Sequence, residues 1–186
     1  DEMYEEKLIA HNLKASKEQI LDDLKGFMSP LQRRMLKELL QHLDELNVHI
    51  ENLNDEIDNF MKPEEKQASQ VIQDVTGIGN TSAQTIIAVI GTDMERFPSD
   101  RHISSWAGLC PGDNVSAKKR KSGKIRKGNA LLKSTLVLCA HAAVRHKSSY
   151  FHAQFKRIST HRGKKRAYVA VAHSILIAIY HILKDG

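Results

Sequence analysis

At 186 residues with 41% hydrophobic content, the chain can hold one medium domain with an appendage or two small ones. No 18-residue run is free of polar residues, so no membrane span is expected, and two cysteines in apolar contexts, Cys110 and Cys139, exclude a disulfide framework and fit a reducing compartment. The net charge of +6 hides a polarity: residues 1–113 hold 11 basic and 21 acidic residues, net −10, whereas 114–186 hold 17 basic and 1 acidic, net +16.

Residues 1–62 read as a helical arm. A first helix containing Leu13, Ile20, Leu21 and Leu24 ends at Gly26, and Ser29-Pro30 then supplies an N-cap followed by proline at the first helical position. The next helix, within 30–62, carries Leu36, Leu39, Leu43, Leu46, Ile50, Leu53, Ile57 and Phe60 at alternating spacings of three and four. Every a and d position of four heptads is apolar, a seam about 40 Å long that calls for a partner helix along its length. A homodimeric coiled coil through Leu36, Leu39, Leu43, Leu46, Ile50, Leu53 and Ile57 is the first expectation. An intramolecular hairpin is the alternative. The e and g positions, Leu40, Asn47, Asn54, His42 and His49 with Glu56 as the exception, carry little charge code, so the orientation stays open.

The stretch from Met61 to Ser69 reads as a break, with Pro63 ending the preceding helix and 63–69 serving as a linker to a compact domain over 70–186. Six further helices are expected near 69–75, 80–91, 99–107, 129–146, 149–160 and 164–183, around a Gly- and Lys-rich loop from Pro111 to Gly128. The fold class is therefore all-α: a coiled-coil arm followed by a compact helical domain. The one weak strand signal is a hairpin pairing Val115 with Lys124 and Ile125.

Val75-Thr76-Gly77-Ile78-Gly79, followed by an apolar helix, resembles a helix-hairpin-helix. Gly77 and Gly79 can take positive φ and bare their amides, Ala83 permits close packing, and Ile86, Ile87 and Ile90 hold the core. The N-terminus of the helix near Asn80 would then face whatever lies beside the turn, commonly a phosphate. The same pattern also serves as a plain packing corner.

Between Asn114 and Lys184 there is no Asp or Glu, and Lys118, Lys119, Arg120, Lys121, Lys124, Arg126 and Lys127 fall within ten residues. Solvated faces usually mix signs, so this stretch suits a polyanion, most naturally nucleic-acid phosphate. Ser116 lies in the same loop. A serine hydroxyl is a poor nucleophile unless a base, a metal or dense positive charge stabilises its alkoxide, and the adjacent cations could neutralise charge on a five-coordinate phosphorus. On these residues alone it is a candidate beside the reading of a plain loop serine. Arg157, Arg162, Lys164, Lys165 and Arg166 around Gly163 form a second basic cluster, read as a further phosphate or RNA contact. The scattered histidines have no ligand spacing, so no metal site is expected, and Tyr150, Phe151 and Phe155 fall at helical spacing as core residues.

Several motifs occur here in order: Val75-Thr76-Gly77-Ile78-Gly79, Phe97-Pro98-Ser99, Ser105-Trp106-Ala107-Gly108-Leu109-Cys110-Pro111, Ser116, Gly123-Lys124-Ile125-Arg126-Lys127-Gly128-Asn129 and Leu131-Leu132-Lys133. Together, from Val75 to about Ala143, they resemble the C-terminal domain of the DEDD transposases of bacterial insertion sequences, a family related to Piv-type DNA invertases and itself guided by a bridge RNA. The heptad arm resembles that family's central dimerising segment.

The resemblance implies that a serine of this domain attacks the DNA backbone and becomes covalently linked to it, while four acidic residues of a RuvC-like N-terminal domain bind Mg²⁺. Ser116, five residues after Pro111, occupies the family serine's position. Ala117 stands where glycine is common, and Ser122, before Gly123, is the competing assignment. Asp22-Asp23, Asp55, Glu56 and Asp58 read as solvated helix faces, so no cofactor is expected in this chain, and the Mg²⁺ of the full-length enzyme belongs to a domain absent here. Beginning at Asp1 without Met, the chain is expected to be a fragment that binds DNA but does not recombine it unaided. Its expected location is the bacterial cytoplasm, with the nucleoid. Two rivals remain: a non-catalytic nucleic-acid-binding and dimerisation module, and a structural coiled-coil adaptor.

Overall fold

In a computed structural model of the chain, residues 18–19, 22, 28–110, 114–116, 119–122 and 127–185 are described, 114–116 and 119–122 by their backbone. Leu13, Ile20, Leu21 and Leu24 of the first expected helix lie outside them. The fold is all-α apart from one short hairpin, as the sequence pattern implies. Two compact units divide the chain, Asp1–Phe60 and Met61–Gly186.

In the first unit, α1 runs over Pro30–Phe60. Its start is closed reciprocally: the amide of Gln32 donates to Ser29 Oγ at 3.3 Å, and the amide of Ser29 donates to Gln32 Oε1 at 2.8 Å. That is a capping box with proline at the first helical position. None of the 31 residues of α1 is buried. Leu39, Leu43, Leu46, Ile50, Leu53, Ile57 and Phe60 are all exposed, Phe60 at 93%. A soluble helix with such a face normally covers it against something.

The second unit begins with a correction. The expected linker 63–69 is mostly helix, because α2 spans Pro63–Ile72, and Ala68 and Ser69 are buried. Pro63 does end α1, but it also occupies the first position of α2, where its missing N–H costs nothing, and Glu65 Oε2 accepts the amide of Lys62 at 3.0 Å. The break is confined to Met61 and Lys62. After α2 come α3 (Asn80–Ile90), a 3-10 turn (Met94–Arg96), α4 (Asp100–Trp106), β1 (Asn114–Ser116), β2 (Lys119–Ser122), α5 (Ala130–Arg145), α6 (Tyr150–Arg162) and α7 (Lys164–Asp185).

Helix α7 is the centre of this unit. It packs against α2, α4, α5 and α6, while α3 packs on both α2 and α5. Val171, Ile175, Leu176, Ile179 and Tyr180 of α7 are buried among Ile72, Ile86, Ile90, Ile103, Leu132 and Leu136. Length and composition alone make α7 apolar enough to cross a membrane; in this fold its apolar side forms the core. Tyr180 also ties distant segments, its hydroxyl donating to the Phe97 carbonyl at 3.1 Å and accepting from Lys184 Nζ at 3.1 Å.

One side chain expected in the core lies elsewhere. Phe151 and Phe155 pack against the core, but Tyr150 is 68% exposed at the first position of α6. Helical spacing groups the three rings, yet Tyr150 precedes the first complete turn and falls on the outer side.

Candidate nucleic-acid interface

Residues 73–79 join α2 to α3, and the two glycines among them differ. Gly77 has φ +95, a left-handed conformation that glycine adopts without strain. A Cβ there would lie 2.5 Å from the Cys139 carbonyl oxygen and 2.6 Å from the Ala143 amide nitrogen, so Gly77 is where the turn presses against α5. Gly79 departs from expectation: its φ is −102, open to any residue, and a Cβ on it would meet nothing within 4 Å. It is the exposed N-cap residue of α3, so of the two glycines it is the one that leaves its surroundings open to a ligand.

The basic loop has a pinned base. A Cβ on Gly128 would lie 2.3 Å from the Gly108 amide nitrogen and 2.5 Å from the Ala107 carbonyl carbon. One residue on, the amide of Asn129 donates to the Trp106 carbonyl at 3.4 Å, while Asn129 Oδ1 accepts from Leu132 N at 2.9 Å and caps α5. The segment carrying the cations therefore leaves after α4 and returns to the same place before α5. Glycines flanking a basic run are the sequence signal for this base, but their meeting is non-local and spacing does not reveal it.

Within the loop, β1 and β2 pair antiparallel, with Asn114 opposite Ser122, Val115 opposite Arg120 and Ser116 opposite Lys119. The register shifts between Asn114 and Val115, a bulge-like irregularity. The second strand lies at Lys119–Ser122, upstream of the expected Lys124 and Ile125. A run of Lys and Arg hides strand character because strands are usually recognised by apolar alternation. The competing serines consequently sit at opposite ends of one ladder: Ser116 beside the turn, Ser122 at the far end. Lys119, Arg120 and Lys121 lie on β2, and Lys127 is exposed just before the pinned base. Lys118, Lys124 and Arg126 lie outside the described residues.

Gly163, with φ +81, ends α6, and Lys164, Lys165 and Arg166 open α7; together with Arg162 all four cations are exposed. Cations in a first helical turn face the positive end of the helix dipole, an arrangement that costs stability unless an anion is nearby. No acid occupies that turn.

The pKa values of His173 and Cys139 are shifted. His173 is half-buried, and desolvation holds its pKa below the ordinary 6.5, opposed by the negative charge of Asp100. Its Nε2 is 3.9 Å from Cys110 Sγ. Burial pushes the Cys139 thiol up, opposed by a hydrogen bond with Ser82. Among the described residues, no three His, Cys, Asp or Glu side chains gather to hold a metal ion.

Comparison with known proteins adds a family to this geometry. Residues 69–156, from the end of α2 into α6, match the Transposase IS116/IS110/IS902 family. A "Transposase for insertion sequence element IS1111A" of Coxiella burnetii is 30% identical over 118 residues, covering 61% of this chain and 32% of that protein. An "Insertion element IS110 uncharacterized 43.6 kDa protein" of Streptomyces coelicolor is 28% identical over 131 residues, covering 66% of this chain and 30% of that protein. The chain spans about a third of the length of the curated relatives it matches.

Proposed function

We propose that this chain is the C-terminal portion of an insertion-sequence transposase whose second unit grips DNA and supplies a serine nucleophile. The observation that carries this is the coincidence of the family match over 69–156 with a basic hairpin closed at its base and bearing Ser116. Lys118, Lys119, Arg120 and Lys121 would screen the phosphate, and Gly79 at the open start of α3 would meet a neighbouring backbone position. Attack by Ser116 Oγ on phosphorus forms a phosphoserine ester, breaks the bond to the departing strand, and leaves that strand with a free hydroxyl that takes up the serine proton.

Arg162, Lys164, Lys165 and Arg166 would hold a second phosphate backbone, of DNA or a guide RNA. The apolar seam of α1 would pair with a second copy of the chain. Carboxylates for Mg²⁺ would come from a further domain, so the chain alone would bind DNA without cleaving it.

Binding of a labelled duplex to the chain across a salt series tests the grip. Affinity falling steeply as salt rises, by roughly 0.9 in log K per log salt for each phosphate neutralised, is the expected result. Binding indifferent to salt would overturn it. The rival reading, a non-catalytic nucleic-acid-binding module, shares this behaviour and differs only in forming no covalent adduct.

A further inference from the structure

Trp106 is the chain's only tryptophan, and it is 43% exposed although Ile103, Ser104, Ala107 and Gly108 around it are buried. A residue with so much apolar area is left at a surface when one of its faces has a use. Its support is firm. The indole leans on Phe97 with ring centroids 5.6 Å apart and planes tilted by 54°, and the Phe97 carbonyl is held by the buried Tyr180. The Trp106 carbonyl is in turn held by the amide of Asn129, the cap of α5.

Position decides what the ring can serve. Trp106 ends α4 where the basic segment departs, and Gly128 brings that segment back onto Ala107 and Gly108. Exposed Lys127 is the residue before Gly128, the last of the seven cations within 118–127. Among the described residues no Lys or Arg sits over the indole, since the one such pair joins Lys184 to Tyr180. A braced aromatic ring beside a phosphate-binding segment is the arrangement that captures an unstacked base: cations track the backbone while the ring receives the base, with little regard to sequence.

From this we infer that Trp106 is a stacking platform for an unpaired nucleobase of the strand held by the basic hairpin. The inference rests on the proposed phosphate grip and adds a contact to it. The ligand chemistry is a nucleobase, on DNA or RNA. A protein partner is disfavoured because the ring adjoins the base of a strongly cationic segment.

The test uses the whole chain and short single-stranded oligonucleotides, as DNA, as RNA, and as an abasic strand that keeps its phosphates. Binding is measured by anisotropy and by the intrinsic fluorescence of this one tryptophan. Base-bearing DNA or RNA should quench the fluorescence and bind about tenfold more tightly than the abasic strand. Trp106→Ala should erase that preference while keeping phosphate binding, and Trp106→Phe should retain most of it. Preference for one sugar identifies the strand. Should Trp106→Ala fail to fold, the wild-type quench and the Trp106→Phe titration decide. Salt-dependent binding with no quench and no preference over the abasic strand would overturn the platform but leave the phosphate grip. No binding by any strand would overturn both.

Discussion

The α-carbon of Gly77 is seated against the Cys139 carbonyl so closely that a Cβ on it would lie 2.5 Å from that oxygen. With φ +95 added, Gly77→Ala should destabilise the second unit by about 2 to 4 kcal/mol, from backbone strain plus overpacking. Gly79→Ser should be neutral or stabilise by about 0.5 kcal/mol, because the site is extended, open and an N-cap. Urea unfolding of both variants checks the contrast. Equal destabilisation would mean that the turn is not anchored through Gly77.

Much of this architecture is legible in the chain, for reasons particular residues make clear. The seam from Leu36 to Phe60 repeats often enough to define a helix, and Ser29-Pro30 marks its start by local chemistry. Pro63 is ambiguous in sequence because proline both ends one helix and begins the next, and only tertiary burial of Ala68 and Ser69 separates a linker from a helix. Gly77 and Gly79 look alike in sequence; α5, more than fifty residues away, makes one indispensable and leaves the other free to vary. The meeting of Gly108 with Gly128 and of Cys110 with His173 is likewise non-local, so spacing alone does not reveal it. Composition marks the basic segment but cannot place Trp106 at its base.

The exposed seam of α1 leads to a prediction about assembly. Replacing Leu43 and Ile50 together by Glu should convert an associated chain to monomer, since charges at two successive a positions oppose helix pairing. Sedimentation equilibrium across a concentration series reads this directly. A wild-type chain that is monomeric throughout would contradict the pairing of two copies.

At the start of α7, changing Lys164, Lys165 and Arg166 to Gln should lower the salt slope of nucleic-acid binding by about one for each phosphate that these side chains hold. Thermal stability should hold or rise by a few tenths of a kcal/mol, as three cations leave the positive end of a helix dipole. Weaker binding with an unchanged salt slope would show that these residues do not touch phosphate.

His173 gives a pH dependence of defined sign. Its pKa is below 6.5 in the fold, so below that pH the unfolded chain takes up the proton more readily than the folded one. The stability it contributes is complete above 6.5 and declines as pH falls toward the folded value. Thermal melts from about pH 7.5 to about pH 5 should show a smaller acid loss for His173→Gln than for wild type. An identical slope would assign the acid sensitivity to other groups.

Ser116 and Ser122 stand at opposite ends of the β1–β2 ladder, so one substitution at each separates them. The deciding measurement is made on this chain joined to the further domain proposed to carry the Mg²⁺ carboxylates, incubated with target DNA and Mg²⁺ and then denatured and mapped by mass spectrometry. A phosphoserine-linked DNA adduct on Ser116, absent in Ser116→Ala and retained in Ser122→Ala, is the expected result. Loss of the adduct in Ser122→Ala alone would move the nucleophile to the other end of the hairpin. DNA cleavage with no serine adduct in any variant would contradict the proposed chemistry.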